Sequence, residues 1–78
     1  MIMSYVVIFY TKAVTPIQEF YRTKAEAQKA ISEDVKMVQI DYKGTGYKKV
    51  GSIKSGRISF VHPCYGTDYL VKLEENTL

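Results

Sequence analysis

The first part of the chain pairs an uninterrupted apolar run with a mixed segment. Residues 5–10 are apolar at every position and rich in β-branched and aromatic side chains, which predicts a strand buried on both faces at the centre of a sheet. Residues 13–16 indicate a connection, with Pro16 acceptable at the start of the next strand. In residues 17–21, Gln18 and Glu19 precede Phe20, which predicts a short strand at an edge.

A helix is predicted next. The Thr23–Glu26 segment has the capping-box pattern, in which a threonine hydroxyl and a glutamate three residues later cap the first turn. Apolar residues then recur at three- and four-residue spacing and form one narrow stripe: Ala27, Ala30, Ile31 and Val35. Glu33 and Asp34 oppose the helix dipole near its C-terminal end. We therefore expect the last turn to fray before Lys36.

From Met37 onward the hydrophobic period changes to two, which predicts four further strands. They span residues 38–42, 47–53, 57–62 and 69–73. Lys43–Gly46 is predicted as a turn, and residues 54–56 as a three-residue hairpin loop with a left-handed glycine. Because Val50 and Ile53 are three residues apart, a bulge at Gly51 is expected to restore the inward register.

The predicted fold class is α+β, with the order ββαβββ and a further strand where the C-terminal pattern allows one. One amphipathic helix packs on a mostly antiparallel, twisted sheet. Residues 1–78 form a single domain, and residues 74–78 form a frayed tail. Two arrangements would cover the second face of the sheet: a curled C-terminal meander, or a symmetric homodimer.

Composition narrows the class of protein. The chain has 78 residues, of which 46% are hydrophobic and 24% charged, which is typical of a packed domain and excludes disorder. The apolar N-terminal run ends after ten residues, whereas about 18 are needed to span a bilayer. It lacks the basic start and small-residue cleavage site of a signal peptide. With a single cysteine, we expect a cytoplasmic protein without a membrane partner.

The charge distribution is uneven. The net charge is only +3, but the segment between Tyr42 and Thr67 contains no acidic residue. Its basic residues are Lys43, Lys48, Lys49, Lys54 and Arg57. This asymmetry is the strongest functional signal in the sequence, because a concentrated positive surface attracts anionic partners.

Motifs that would indicate catalysis are weak. His62 and Cys64 are two residues apart, with Asp68 as the nearest acid, but Pro63 interrupts the strand and no oxyanion-hole pattern accompanies them. A strand-end histidine and a small semi-buried thiol explain the pair. The Gly44–Lys49 segment lacks P-loop spacing and leads into a strand rather than a helix. We expect no enzyme activity, no cofactor and no metal site.

The remaining hypothesis is a binding surface on the wet face of the C-terminal strands. We expect it to consist of Lys43, Tyr47, Lys49, Lys54, Arg57 and Lys72. The function predicted first is a small inhibitor or adaptor module, of a kind that mobile elements encode, which binds an acidic surface of a macromolecular partner through this basic, tyrosine-bearing hairpin. The alternative is a nucleic-acid-binding domain that uses the same face. Lysines on exposed strands also guard against aggregation without binding anything.

Overall fold

A computed structural model of the chain describes residues 3–12 and 14–77. The element order is β1 (Met3–Thr11), β2 (Val14–Tyr21), α1 (Lys24–Tyr42), β3 (Lys48–Ser52), β4 (Arg57–His62) and β5 (Gly66–Thr77). The five strands form one antiparallel sheet in the order β2-β1-β5-β4-β3, with α1 on one face. The predicted α+β class is confirmed. The order ββαβββ is also observed, with the further C-terminal strand as its last member, because residues 38–42 are not a strand. No helix of the described residues is long and apolar enough to cross a bilayer.

The apolar N-terminal run becomes an inner strand, as predicted. β1 lies between β2 and β5, and its central residues Val6, Val7 and Ile8 are buried. Val7 belongs to the core beneath α1, whereas its neighbours in sequence point to the opposite face of the sheet. β2 is an edge strand, also as predicted, and it extends back to Val14, so that Pro16 lies within an edge strand.

The core lies between α1 and the helix-facing side of the sheet. Ala27, Ile31 and Val35 are its buried helix residues, which confirms the predicted stripe. The sheet contributes Val7, Ile58, Phe60, Tyr69 and Val71. The N-cap is also confirmed, since Thr23 Oγ1 accepts a hydrogen bond of 3.1 Å from the backbone N–H of Glu26.

The predicted end of the helix is wrong. α1 does not fray before Lys36 but continues to Tyr42, so residues 38–42 are helical and not a strand. Val38 and Tyr42 extend the apolar stripe and pack against the core. The helix ends where Gly44 adopts a φ of 76° just beyond the C-cap Lys43, a conformation that favours glycine.

The C-terminal part differs from the prediction in two places. Residues 74–77, expected as a frayed tail, continue β5 and pair with the start of β1. The bulge expected at Gly51 is absent, because β3 pairs with β4 without a register shift. The shift lies instead between β4 and β5, where Asp68 has no Cα partner. Ala13 of the predicted connection and Leu78 of the predicted tail lie outside the described residues.

The second face of the sheet carries no other element among the described residues. The C-terminal strands belong to the same sheet as β1, and a curled meander as the cover of the second face stays a prediction. The homodimer that would cover this face stays a prediction.

Candidate functional site

The β3–β4 hairpin forms one edge of the sheet and carries four basic residues, Lys48, Lys49, Lys54 and Arg57. β3 is the terminal strand, and all five of its residues are exposed. The turn that follows is closed by a hydrogen bond of 3.0 Å from Gly56 N to Ile53 O, and Gly56 has a φ of 75°. The left-handed glycine is confirmed, although the loop spans four residues, 53–56, rather than three.

The register places the predicted binding residues on both faces of the sheet, which corrects the expectation of a single face. Lys49 is opposite Phe60, which is buried beneath α1, so Lys49 lies on the helix side. Arg57 and Lys72 are cross-strand partners on the far face. Val50, expected to point inward, is 54% exposed on that same far face, opposite Ser59.

Tyr47 and Lys43 also differ from the prediction. The ring of Tyr47 lies 4.8 Å from that of Tyr42 and 5.1 Å from that of His62, and it packs against the core. Tyr47 is therefore half-buried on the helix side and does not present a free face to a ligand. Lys43 is the C-cap of α1, apart from the hairpin tip that carries Lys54.

A groove on the helix side is lined by two of the predicted binding residues, Lys49 and Lys54, and by Lys36, which was not predicted. It has a volume of about 420 Å³ between the C-terminal half of α1 and the hairpin. Lys36 from α1, Lys49 from β3 and Lys54 from the turn line it, and we call it the basic groove. Its other lining residues are the polar Ser32, Gln39 and Ser52 and the apolar Val35, Ile53 and Ile58.

Among the described residues, no carboxylate forms an ion pair with a lysine of the basic groove. The ion pair that the structure records among the described residues joins Lys72 and Glu74, with Nζ and Oε1 3.1 Å apart, outside the groove. Lys72 also lies 5.5 Å from the centre of the Tyr10 ring. Lys72 is therefore partly neutralised on the far face, whereas Lys36, Lys49 and Lys54 keep their full attraction for an external anion.

The opposite flank of α1 is acidic. A cleft of about 480 Å³ separates this flank from the ends of β1 and β2, and its carboxylates are Glu19, Asp34 and Asp41. No lysine or arginine is among the described residues that line it. α1 therefore separates a basic groove from an acidic cleft.

Tyrosine hydroxyls hold the acidic side in place. Tyr69 donates to Asp34 Oδ2, Tyr42 donates to Asp68 Oδ2 over 2.6 Å, and Tyr21 donates to Glu19 Oε2 over 2.5 Å. Burial first, and then the bonded carboxylate, raises the pKa of Tyr42 and of Tyr69 above the ordinary value. The hydrogen bond to Glu19 raises the pKa of Tyr21 to about 12. These phenols stay neutral donors at physiological pH.

The side chain of His62 stabilises the turn that contains Cys64. His62 Nδ1 accepts hydrogen bonds from the backbone N–H groups of Cys64, at 3.0 Å, and of Tyr65, at 3.3 Å. Asp68, the acid considered as its orienting partner, accepts from Tyr42 instead. The imidazole thus orders the turn between β4 and β5, and Nδ1 faces main-chain donors rather than the thiol.

Sequence reasoning missed Lys36 because it placed the end of the helix there. The signal was present: the first glycine or proline after Thr23 is Gly44, so nothing in between stops a helix. On a continuous helix, Ser32, Lys36 and Gln39 share one flank.

No protein-family model matches the chain, and no curated protein or solved structure matches it either.

Proposed function

We propose that the chain is a non-enzymatic binding module, of the inhibitor or adaptor type, that binds an anionic surface of a protein partner through the basic groove. The observation that carries the proposal is the convergence of three lysines without carboxylate partners, from α1, β3 and the hairpin turn, around an apolar floor. The predicted residues Lys49 and Lys54 take part, and Lys36 joins them. Arg57, Lys72 and Lys43 lie outside the groove.

The floor of the groove favours a protein over a nucleic acid. The floor residues Val35, Ile53 and Ile58 are aliphatic; Val35 and Ile58 are almost wholly buried, and Ile53 is half-buried. An acidic protein segment presents carboxylates together with apolar side chains, which would pack on the accessible part of this floor, chiefly Ile53. Single-stranded nucleic acids are held by aromatic rings on which bases stack. Tyr47, the ring expected to do this, is packed against Tyr42 and His62. Nucleic-acid binding is therefore the second candidate and an outcome of the test.

The test is a charge reversal with a matched control. The groove variant carries Lys36→Glu, Lys49→Glu and Lys54→Glu. The control carries Arg22→Glu, Lys29→Glu and Lys43→Glu, which are exposed and do not line the basic groove. Both variants have the same net charge, so their non-specific electrostatic attraction to an anionic probe is equal. Circular dichroism and thermal unfolding verify that each is folded.

The probes are fluorescein-labelled poly-L-glutamate and labelled 20-nucleotide DNA and RNA, with fluorescence anisotropy as the readout at 20 to 300 mM salt. We expect poly-L-glutamate to bind the native chain, to lose at least tenfold in affinity for the groove variant, and to bind the control more tightly than that variant. Equal losses in both variants would remove the basic groove as the site. Tighter binding of DNA or RNA, with a steep linear dependence of log affinity on log salt, would select the nucleic-acid function.

A further inference from the structure

The free edge of β3 lies directly beside the basic groove. β3 ends the sheet, pairs with β4 alone, and has five exposed residues. In an antiparallel strand, alternate residues direct their N–H and C=O groups away from the paired neighbour. Among the described residues, no main-chain group of another strand meets this outer side of β3. The edge can therefore accept one more strand.

We infer that the anionic partner contributes an extended acidic segment that adds to the sheet as a sixth strand along β3. This inference rests on the proposed function and names the partner's form. An added strand would lie about 4.8 Å from β3, with alternate side chains on its two faces. Those on the helix side would enter the basic groove, where Lys36 and Lys49 would meet carboxylates.

The opposite face of the added strand has a different requirement. There its side chains would lie beside Val50, which is 54% exposed, and away from α1. An apolar side chain at that position would cover Val50 and gain hydrophobic burial. The segment that fits this edge thus alternates acidic and apolar residues, the pattern of a strand with one charged and one apolar face.

Charge argues for such a partner over a second copy of the chain. Two copies that met edge to edge at β3 would place two edges side by side that each carry Lys48 and Lys49, and lysines on an edge strand oppose such pairing. Lysines on this edge therefore discourage self-pairing while they attract an acidic strand. At the other edge of the sheet, β2 contains Pro16, which has no N–H to donate to an added strand.

The experiment uses the native chain and two synthetic peptides. The first has the sequence Gly-Glu-Val-Glu-Val-Glu-Gly with blocked termini. The second has the same side chains but is N-methylated at the three glutamates, because in an antiparallel addition the residues whose side chains lie on the helix side, opposite Lys49, also direct their N–H groups toward β3. Binding is measured by isothermal titration, and amide hydrogen exchange in β3 by NMR. We expect the first peptide to slow exchange of the outward β3 amides at least tenfold. The N-methylated peptide should bind at least tenfold more weakly.

The outcomes separate the two proposals. Equal binding of both peptides without protection of β3 would overturn strand addition and leave the basic groove as an anion site. If the first peptide failed to bind while poly-L-glutamate still bound, strand addition would also be overturned and the basic groove would remain as an anion site. Slowed exchange in β3 that depends on protein concentration alone would indicate pairing between copies and overturn the acidic partner strand. Failure of both peptides and of poly-L-glutamate would overturn the inference and the proposed function together.

Discussion

The hydroxyl of Tyr42, in the last turn of α1, donates a hydrogen bond of 2.6 Å to Asp68, the extra residue of the β5 bulge. The ring of Tyr42 also stacks on that of Phe60, with centroids 5.0 Å apart. This contact anchors the C-terminal half of the helix to the sheet. The same half carries Lys36, so the anchor helps to fix one wall of the basic groove.

Removal of this hydrogen bond should destabilise the fold measurably. Tyr42→Phe is expected to lower the free energy of unfolding by about 1 kcal/mol, since the hydroxyl bonds a charged acceptor that is only partly buried. Combined with Asp68→Asn in a double-mutant cycle, it should show a coupling of about 0.5 kcal/mol or more. Urea denaturation measures both. The control cycle pairs Tyr42→Phe with Glu74→Gln and should be additive; additivity in the Asp68 cycle would contradict the anchor.

Alkaline pH should destabilise the protein through its bonded tyrosines. Tyr69 has a pKa raised above the ordinary 10.0 by burial, and then by its bond to Asp34. Above pH 10 the unfolded chain loses this proton while the native chain keeps it, so the free energy of unfolding falls as pH rises. Each such tyrosine contributes about 1.4 kcal/mol per pH unit above that point.

Tyr69→Phe isolates this contribution. Urea denaturation between pH 10 and 11 should show a shallower fall for the variant than for the native chain, by about 1 kcal/mol per pH unit. Between pH 7 and 9 the two curves should run parallel, because the phenol is protonated in both states there. Identical slopes above pH 10 would contradict the raised pKa of Tyr69.

The floor of the basic groove is also part of the core. Ile58 is only 2% exposed, and Ile58→Ala is expected to cost about 2–5 kcal/mol because it leaves a cavity. The matched change Ile40→Ala, at a residue that is 75% exposed, should alter stability by no more than about 0.5 kcal/mol. Thermal or urea unfolding measures both. Similar losses at the two positions would mean that α1 is rotated from the orientation described.

Gly51 is required for the shape of the β3 edge. Its φ is 94°, and an added Cβ would lie 2.1 Å from the carbonyl oxygen of Arg57. Gly51→Ala should therefore destabilise by more than the roughly 1–2 kcal/mol of a left-handed alanine alone. Gly44→Ala is the control, since Gly44 has a φ of 76° but no atom within 4 Å of an added Cβ. Equal losses in denaturation experiments would show that the β3 backbone can relax.

The sequence predicted the fold class because its strongest local patterns agree with the tertiary structure. The two-sided apolarity of β1 and the cap at Thr23 are both observed. The error at residues 38–42 arose because Val38, Ile40 and Tyr42 fit a period of two, while Val38 and Tyr42 also fit a helix. Ile40 projects into solvent, so the alternation of apolar residues at positions 38, 40 and 42 did not correspond to a buried strand face.

The candidate site was predicted only in part, because one register error changes the face of every residue in a strand. The prediction put Val50 inside and Lys49 on the opposite face, and it needed the bulge at Gly51 to bring Ile53 inside as well. The regular β3–β4 pairing instead places Lys49 on the helix side and Val50 on the far face. The bulge at Asp68 could not be predicted from the sequence, because the bulged position is neither a glycine nor a proline. The positive charge of the hairpin was readable, but its division between two faces depends on pairing that only the tertiary structure defines.

Opposite charges on the two sides of α1 give the molecule an electric dipole across the helix axis, with Lys36, Lys49 and Lys54 at one pole and Glu19, Asp34 and Asp41 at the other. In the field of a negatively charged macromolecule, such a dipole turns the protein toward its positive pole before the two collide. Encounters would then begin in nearly the correct orientation. The rate of association would fall as salt shortens the screening length toward 8 Å at about 0.15 M.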